Sequence, residues 1–389
     1  MNRPVVSVSG VGMTTLARRD LPVEELARQA ALAALADADL LPSEVGLVVL
    51  GNAAGGRLCD QGCIRGQTWL RDVGLQGAPI VNVDNSCAGG SSALRLGHLA
   101  ALGGESPVLV IGVEKMWTGS RAQTLAGVED GLPAAERVAM HAELDNPAGS
   151  VLMGLNASWL ERQIIERGTT LVEVAATAAK ARRCAARNPL AQWQSEVSVE
   201  EVLASAPVAG QLTRLMCAAF TDGAAAAVLQ AGALPGAPRV LASVARSGNG
   251  DLDYHDRLAE TAEATWKAAG VGPDDIDVVE LHDATSAEEL YALESLGFFA
   301  PGQAGRATAA GQTDAGGSAV CVNPSGGLVG RGHPLGATGL CQLAELTLHL
   351  RGQAGHRQVE GARLALSVNT GGIIGGDAGF VGMHVLEAS

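Results

Sequence analysis

Four short stretches of the chain carry side chains that could act together on a carbonyl group. Residues 82–95 read Asn-Val-Asp-Asn-Ser-Cys-Ala-Gly-Gly-Ser-Ser-Ala-Leu-Arg, a polar turn leading into a small-residue helix with Cys87 near its first turn. Unpaired N–H groups and the helix dipole favour an anion there. A free thiol with a pKa of ~8.5 is mostly protonated at neutral pH, and a helix N-terminus with a nearby histidine lowers that pKa. Cys87 is therefore a candidate nucleophile, against the alternative of a buried structural cysteine.

Residues 323–339 place six glycines around one histidine, His333, which is held between Gly332 and Pro334. Glycine lets backbone approach a ligand closely and proline stiffens the turn. That is a setting for close approach to a ligand rather than for a surface histidine on a flexible loop. His282 follows a β-branched run, at the carboxyl end of a strand where α/β sheets place their ligands. It is a candidate donor, whereas the neighbouring Asp283 and Thr285 read as helix-capping chemistry ahead of Glu288. Residues 367–379 add Asn369 and Gly371 in a glycine-rich turn whose N–H groups could form an oxyanion hole or a plain hairpin between strands. Other signals are weaker. Gly10 and Gly12 lack the third glycine of a dinucleotide loop, Cys59 and Cys63 have no nearby histidine for a zinc site, and no metal site is expected. His98, His349 and His356 are expected to be solvated.

The elements that must position these residues occur twice. An Ala-rich helical pattern from Glu25 to Ala38 runs through Pro42-Ser-Glu into Val45–Leu50, and the pattern from Ala259 to Ala269 runs through Pro273-Asp-Asp into Ile276–Leu281, at a constant offset of 231. Residues 106–113 likewise resemble residues 362–369, each preceded by a small-residue helical pattern. A helix, a Pro-acidic turn and a β-branched run, used twice in the same order, imply two fused α/β halves. On this reading residues 1–116 and 216–235 form the N-terminal half, 117–215 a mostly helical insertion, and 236–389 the C-terminal half.

Composition limits what such a chain can do. Its 389 residues include 67 Ala and 51 Gly, so closely packed elements are expected. The balance of 27 Lys and Arg against 41 Asp and Glu gives a net charge of −14, which disfavours nucleic acid and anionic membranes. Of the cations 24 are Arg, and Arg182, Arg183 and Arg187 cluster in the insertion, where they could meet phosphates. Seven cysteines without paired spacing, no secretory apolar region, no run long enough to span a bilayer and no lipidation or peroxisomal signal at the end indicate a cytoplasmic protein.

Together these motifs resemble the thiolase superfamily, in its sterol-carrier-protein-type branch. The likeness covers nearly the whole chain and rests on Asn85-Ser-Cys-Ala-Gly-Gly90, Thr221-Asp-Gly-Ala-Ala-Ala226, Val322-Asn-Pro-Ser-Gly-Gly-Leu328 and Gly332-His-Pro-Leu-Gly-Ala-Thr-Gly339. It implies a duplicated five-layered α/β fold with an inserted loop domain. It also implies a cysteine-dependent acyltransferase: Cys87 attacks an acyl thioester, His333 takes the thiol proton, His282 stands in one oxyanion hole, and the Gly371 and Cys87 N–H groups form the other. Coenzyme A would lie along the insertion as a substrate, with no permanently bound cofactor. A homodimer or homotetramer follows from the resemblance, and a small OB-fold partner is known for some relatives.

The chain departs from that family at one function. Ordinary thiolases carry a second, acid/base cysteine where this chain has Asn369, and the sterol-carrier branch carries one in His-Asp-Cys-Phe, which here reads His282-Asp283-Ala284-Thr285. Positioned acid/base catalysis is worth ~10²–10⁴-fold. Another group could shuttle the proton, with His141 or His282 as candidates. The acceptor could instead be activated, as for phloroglucinol-type acetyltransferases acting on a phenolic or β-dicarbonyl carbon. The remaining readings are a retro-aldol lyase and a non-catalytic scaffold.

Overall fold

Strand pairing shows why the sequence repeats. The computed structural model describes residues 5–143 and 149–389. Its strands are β1 (Val6–Met13), β2 (Leu47–Gly51), β3 (Ile80–Val83), β4 (Val108–Glu114), β5 (Pro207–Ala209), β6 (Leu212–Thr213), β7 (Gly223–Ala231), β8 (Arg239–Ser247), β9 (Val278–Glu280), β10 (Cys321–Val322), β11 (Leu364–Ile374) and β12 (Asp377–Glu387). Ten of them follow the order β3-β2-β4-β7-β1-β8-β12-β11-β9-β10, which has the same pattern from either edge. In each half three parallel strands are followed by two antiparallel ones, and the halves join where Ser7 of β1 pairs with Arg239 of β8. The two repeats read from the sequence put β2 on β9 and β4 on β11.

Helices fill the layers. Helix Val23–Asp37 buries Leu26, Ala27, Ala30, Ala31 and Ala34, a stripe of helical period, against β1, β4 and β7. Its counterpart Tyr254–Ala269 packs on β8 and β12. Helices Gly89–Leu102 and Thr338–Leu350 touch each other and strands of both halves, so they form the central layer of a helix, sheet, helix, sheet, helix stack. The alanine and glycine content sets these separations. A Cβ on Gly10 of β1 would fall 2.2 Å from the Ala34 carbonyl oxygen, and one on Gly12 2.5 Å from that of Ala30. The glycine pair of β1 thus serves helix packing, in keeping with the absence of a dinucleotide loop.

Between β4 and β7 the chain forms helices Arg121–Glu129, Ala134–Glu143, Val151–Arg167, Leu171–Ala186 and Val199–Leu203 and the β5-β6 hairpin. Helix Leu171–Ala186 is fastened to the C-terminal half by a buried ion pair, Lys180 Nζ to Glu289 Oε1 at 2.5 Å. Among the described residues no helix is long and apolar enough to cross a membrane. One surface expectation is corrected: His349 is buried, because its Nδ1 accepts the Val359 N–H at 3.1 Å and ties the end of the central helix to the chain beyond it. His98 is half-buried and His356 is exposed.

Candidate active site

After β3 the chain turns sharply into the central helix. Ser86 adopts φ +50°, and the Ala88 and Gly89 N–H groups bond back to Asn85 and Ser86 at 3.0 Å each, which turns Cys87 toward a cavity between the halves. Gly371 of β11 lies against this turn. A Cβ there would sit 2.0 Å from the Asn85 carbonyl oxygen and 2.7 Å from the Ala88 nitrogen, so only glycine allows that approach.

The loop after β10 brings His333 to the same place. Its N–H donates to the Ala219 carbonyl at 2.9 Å, and its Nδ1 lies 2.8 Å from Thr338 Oγ1. The glycine-rich stretch is buried throughout rather than a flexible loop. Arg331 is fully buried and pairs with Glu280 at 3.1 Å, while Glu114 of the other half accepts the Gly336 N–H at 3.0 Å. Asp283 accepts the Leu328 and Val329 N–H groups at 2.7 and 3.3 Å, so it caps the short helix Gly327–Gly330. Thr285 caps its own helix, Ser286–Ser295, through the Glu288 N–H, as the sequence suggested.

His282 follows β9. Asn369 Nδ2 donates to His282 Nδ1 at 2.9 Å, which leaves the proton on Nε2 as a donor. The His282 and His333 rings meet edge to face at 5.1 Å. One donor atom from each of Cys87, His282 and His333 lies within 4.8 Å of the others. The same three atoms form the one group among the described residues spaced to hold a metal ion, although a zinc ligand must be a thiolate and a fourth donor would have to come from outside.

Electrostatics correct one expectation. Burial pushes the Cys87 thiol up to about 12, against the smaller lowering by the Ser86 hydroxyl. The first turn of the helix therefore does not by itself deliver a thiolate, because Cys87 is half-buried against the apolar cluster of Met116, Val128 and Leu335. Burial also holds His333 well below its ordinary value, reinforced by His282 and Arg331, and lowers His282 to about 4. At neutral pH the thiol and both imidazoles are uncharged, and His333 is free to accept a proton.

The cavity has a volume of about 640 Å³ and two unlike ends. Toward the surface, exposed Arg18 lies 4.4 Å over the Trp117 ring, and buried Arg182 lies 4.8 Å over the Trp193 ring, with exposed Arg214 alongside. The inner end holds Trp159, Tyr254, Glu288 and Thr370, with Ala284 in the wall beside His282. Buried Asp222 supports the outer end by accepting the Arg19, Met116 and Trp117 N–H groups and the Lys115 ammonium, which gives the Thr221-Asp-Gly motif a structural role.

Of the residues expected from sequence, Cys87, His282, His333, Asn369 and Gly371 converge. Arg182 reaches the cavity, whereas Arg183, on the next side of the helix, pairs with Asp314 at 2.6 Å, and Arg187, the residue that ends this helix, is exposed and does not line the cavity. His141 does not line the cavity. It is exposed, with Nε2 2.8 Å from Glu129 Oε2, so the candidate shuttle is engaged elsewhere. Arg18, Trp117, Trp193, Arg214 and Tyr254 carried no sequence signal, since cation and aromatic partners meet only after folding, and Glu288 showed only as part of a helix start.

Comparison with known proteins agrees with this architecture. Residues 6–233 match the family model "Thiolase, N-terminal domain" and residues 243–381 match "Thiolase C-terminal domain-like". Bovine (Bos taurus) sterol carrier protein 2 is 38% identical over 401 residues, covering 95% of this chain and 70% of that one. An acetyl-CoA acetyltransferase of Methanothermobacter thermautotrophicus is 35% identical, covering 98% of this chain and 99% of its own. Benzoylsuccinyl-CoA thiolase subunit BbsB of Thauera aromatica is 34% identical with 94% of each covered. Among solved structures, the Ltp2-ChsH2(DUF35) aldolase aligns with a TM-score of 0.79 at 22% identity, over 99% of this chain and 98% of that one. Human mitochondrial 3-ketoacyl-CoA thiolase in complex with CoA aligns at 0.72 and 18%, with the same coverage.

Proposed function

The chain belongs to the thiolase family, in the branch that includes sterol carrier protein 2, and on that premise we propose that it transfers an acyl group from a coenzyme A thioester to a carbon nucleophile through an acyl-Cys87 intermediate. The observation that carries the reading is the convergence of Cys87, His282 and His333 within 4.8 Å inside a cavity with an Arg and Trp-lined surface end. In the first step the Cys87 sulfur attacks the thioester carbon as its proton passes to His333. The carbon–sulfur bond to coenzyme A then breaks, and His333 returns the proton to the departing thiolate. The N–H groups of Cys87 and Gly371 hold the oxyanion of this step, and His282 Nε2–H holds the oxyanion of the second substrate. Arg18, Arg182 and Arg214 meet the phosphates of coenzyme A, and Trp117 or Trp193 offers a face to its adenine.

Ala284 and Asn369 leave the Claisen step without its usual cysteine, which favours an acceptor carbon that is already nucleophilic, such as a phenolic ring or a β-dicarbonyl. The proposed domain limits remain 1–116 with 216–235, 117–215, and 236–389. Seven free cysteines suit a reducing compartment such as the cytoplasm. Edge strand β3 exposes Val81, and the adjacent helix exposes Leu96 and Leu99, which supports a homodimer through this edge. A small OB-fold partner is a further candidate for association.

Intact-protein mass spectrometry after mixing with short acyl-CoA esters tests the reading. One acyl adduct is expected, lost in Cys87→Ser. No adduct with any thioester would overturn it, and full activity of Cys87→Ala would turn the assignment to a retro-aldol lyase.

A further inference from the structure

The inner end of the cavity contains a buried acceptor that the reaction above does not use. Glu288 is 2% exposed, and its Oε2 lies 3.0 Å from His255 Nε2. Among the described residues no donor reaches its Oε1, which is buried, and Glu288 lines the cavity together with His282, Tyr254 and Thr370. A buried carboxylate oxygen left unpaired is costly, so its position marks a place for a donor supplied by a ligand.

The surrounding charges specify what kind of donor. His255 stands between two carboxylates, with Asp253 Oδ1 3.4 Å from its Nδ1. Burial opposes its charge, yet Glu288 and Asp253 outweigh burial and raise its pKa. Arg162 in turn holds Asp253 through two bonds at 2.9 and 3.1 Å. Each carboxylate thus already has a basic partner, Glu288 in His255 and Asp253 in Arg162. An ammonium group would add an uncompensated buried charge, and a carbonyl would set acceptor against acceptor. A neutral O–H group satisfies Oε1 without either cost.

Position assigns that group to the acyl chain. The Arg and Trp pairs hold the outer end of the cavity, and Tyr254, whose hydroxyl lies 2.7 Å from that of Thr370, connects the Glu288 end to the strand carrying Gly371. Glu288 also lines the same cavity as Ala284, which precedes this helix and puts only a small side chain in the wall. We propose that Glu288 is a specificity-determining residue that accepts a hydrogen bond from a hydroxyl group on the acyl chain of the thioester substrate. This inference rests on the acyltransferase reading.

The test is binding of S-alkyl coenzyme A thioethers to the Cys87→Ser protein by calorimetry, comparing unsubstituted four- to six-carbon chains with chains bearing a hydroxyl at carbon 3, 4 or 5. One hydroxylated chain is expected to bind about tenfold or more tightly than its plain counterpart. Glu288→Gln should abolish that preference and favour the corresponding oxo chain, because the glutamine carbonyl must accept from His255 and turns its amide N–H groups into the cavity. Equal affinity of all hydroxylated and plain chains overturns the inference, as does a preference that survives Glu288→Gln in a protein with an unchanged melting temperature. Should that variant not fold, the ranking of chains by the Cys87→Ser protein alone decides. Acylation of the wild-type enzyme separates the two readings: adducts formed without any hydroxyl preference remove only this inference, whereas no adduct removes acyl transfer and leaves the Glu288 contact to be judged by the thioethers.

Discussion

The loops that follow β3 and β10 occupy equivalent places in the two halves, and each enters one of the paired central helices. The first is a tight turn that presents Cys87, with Ser86 in a left-handed conformation to make the corner. The second carries His333 on a buried path fixed by Arg331, Glu280 and Asp283. Each half also holds the other's loop: Glu114 of the N-terminal half accepts a backbone N–H after His333, and Gly371 of the C-terminal half backs the cysteine turn. Duplication thus supplied two copies of one loop, and divergence put Cys87 on one and His333 on the other. The reacting atoms meet only because the halves share a central helical layer.

Breaking the division of labour at the base should have the largest effect. His333→Ala is expected to slow acylation of Cys87 by about 10³-fold, whereas His282→Ala spares acylation and costs the second step about 10²-fold, as read by single-turnover mass spectrometry and by transfer to an acceptor. Equal losses in the first step would mean that the two histidines are interchangeable. Gly371→Ala tests how one half supports the other: its Cβ must displace the Asn85 turn, so acylation should fall about 10²-fold with a lower melting temperature. An unchanged rate would show that the turn holds its shape unaided.

The charge state of the pair can be sharpened by pH. The Cys87 thiol is raised to about 12 and His333 is lowered, so the resting pair is neutral. Because the thiolate fraction grows as pH rises toward a raised pKa, alkylation at Cys87 should increase about tenfold per pH unit from 7 to 9 without a plateau. A plateau near neutrality would instead indicate a thiolate–imidazolium pair. The smallest expected effect lies at the outer end. Arg182→Ala should raise KM for the acyl-CoA about tenfold at constant kcat, and Arg183→Ala should leave both unchanged, since Arg183 is paired with Asp314 away from the cavity.

The duplication, the layered α/β class and the convergent residues Cys87, His282, His333, Asn369 and Gly371 were legible in the sequence, because they depend on local pattern: a turn, a strand end, a glycine where backbone must come close. The positions of Arg183, Arg187 and His141 away from the cavity were not legible, because composition places a charge on a segment without giving its direction. Neighbourhood likewise escaped. Cys87 sits at a helix start that by itself favours a thiolate, but apolar packing from both halves raises its pKa instead.

Sequence alone therefore determined which chemical groups this protein carries and the repeated framework that holds them, since both are written in residue type and short-range spacing. Tertiary structure decided their protonation, their partners and the second, polar end of the cavity at Glu288. Burial and contacts are set by residues far apart in the chain: Glu288 owes its surroundings to His255, Asp253 and Arg162, which reach it from two other helices and a cap.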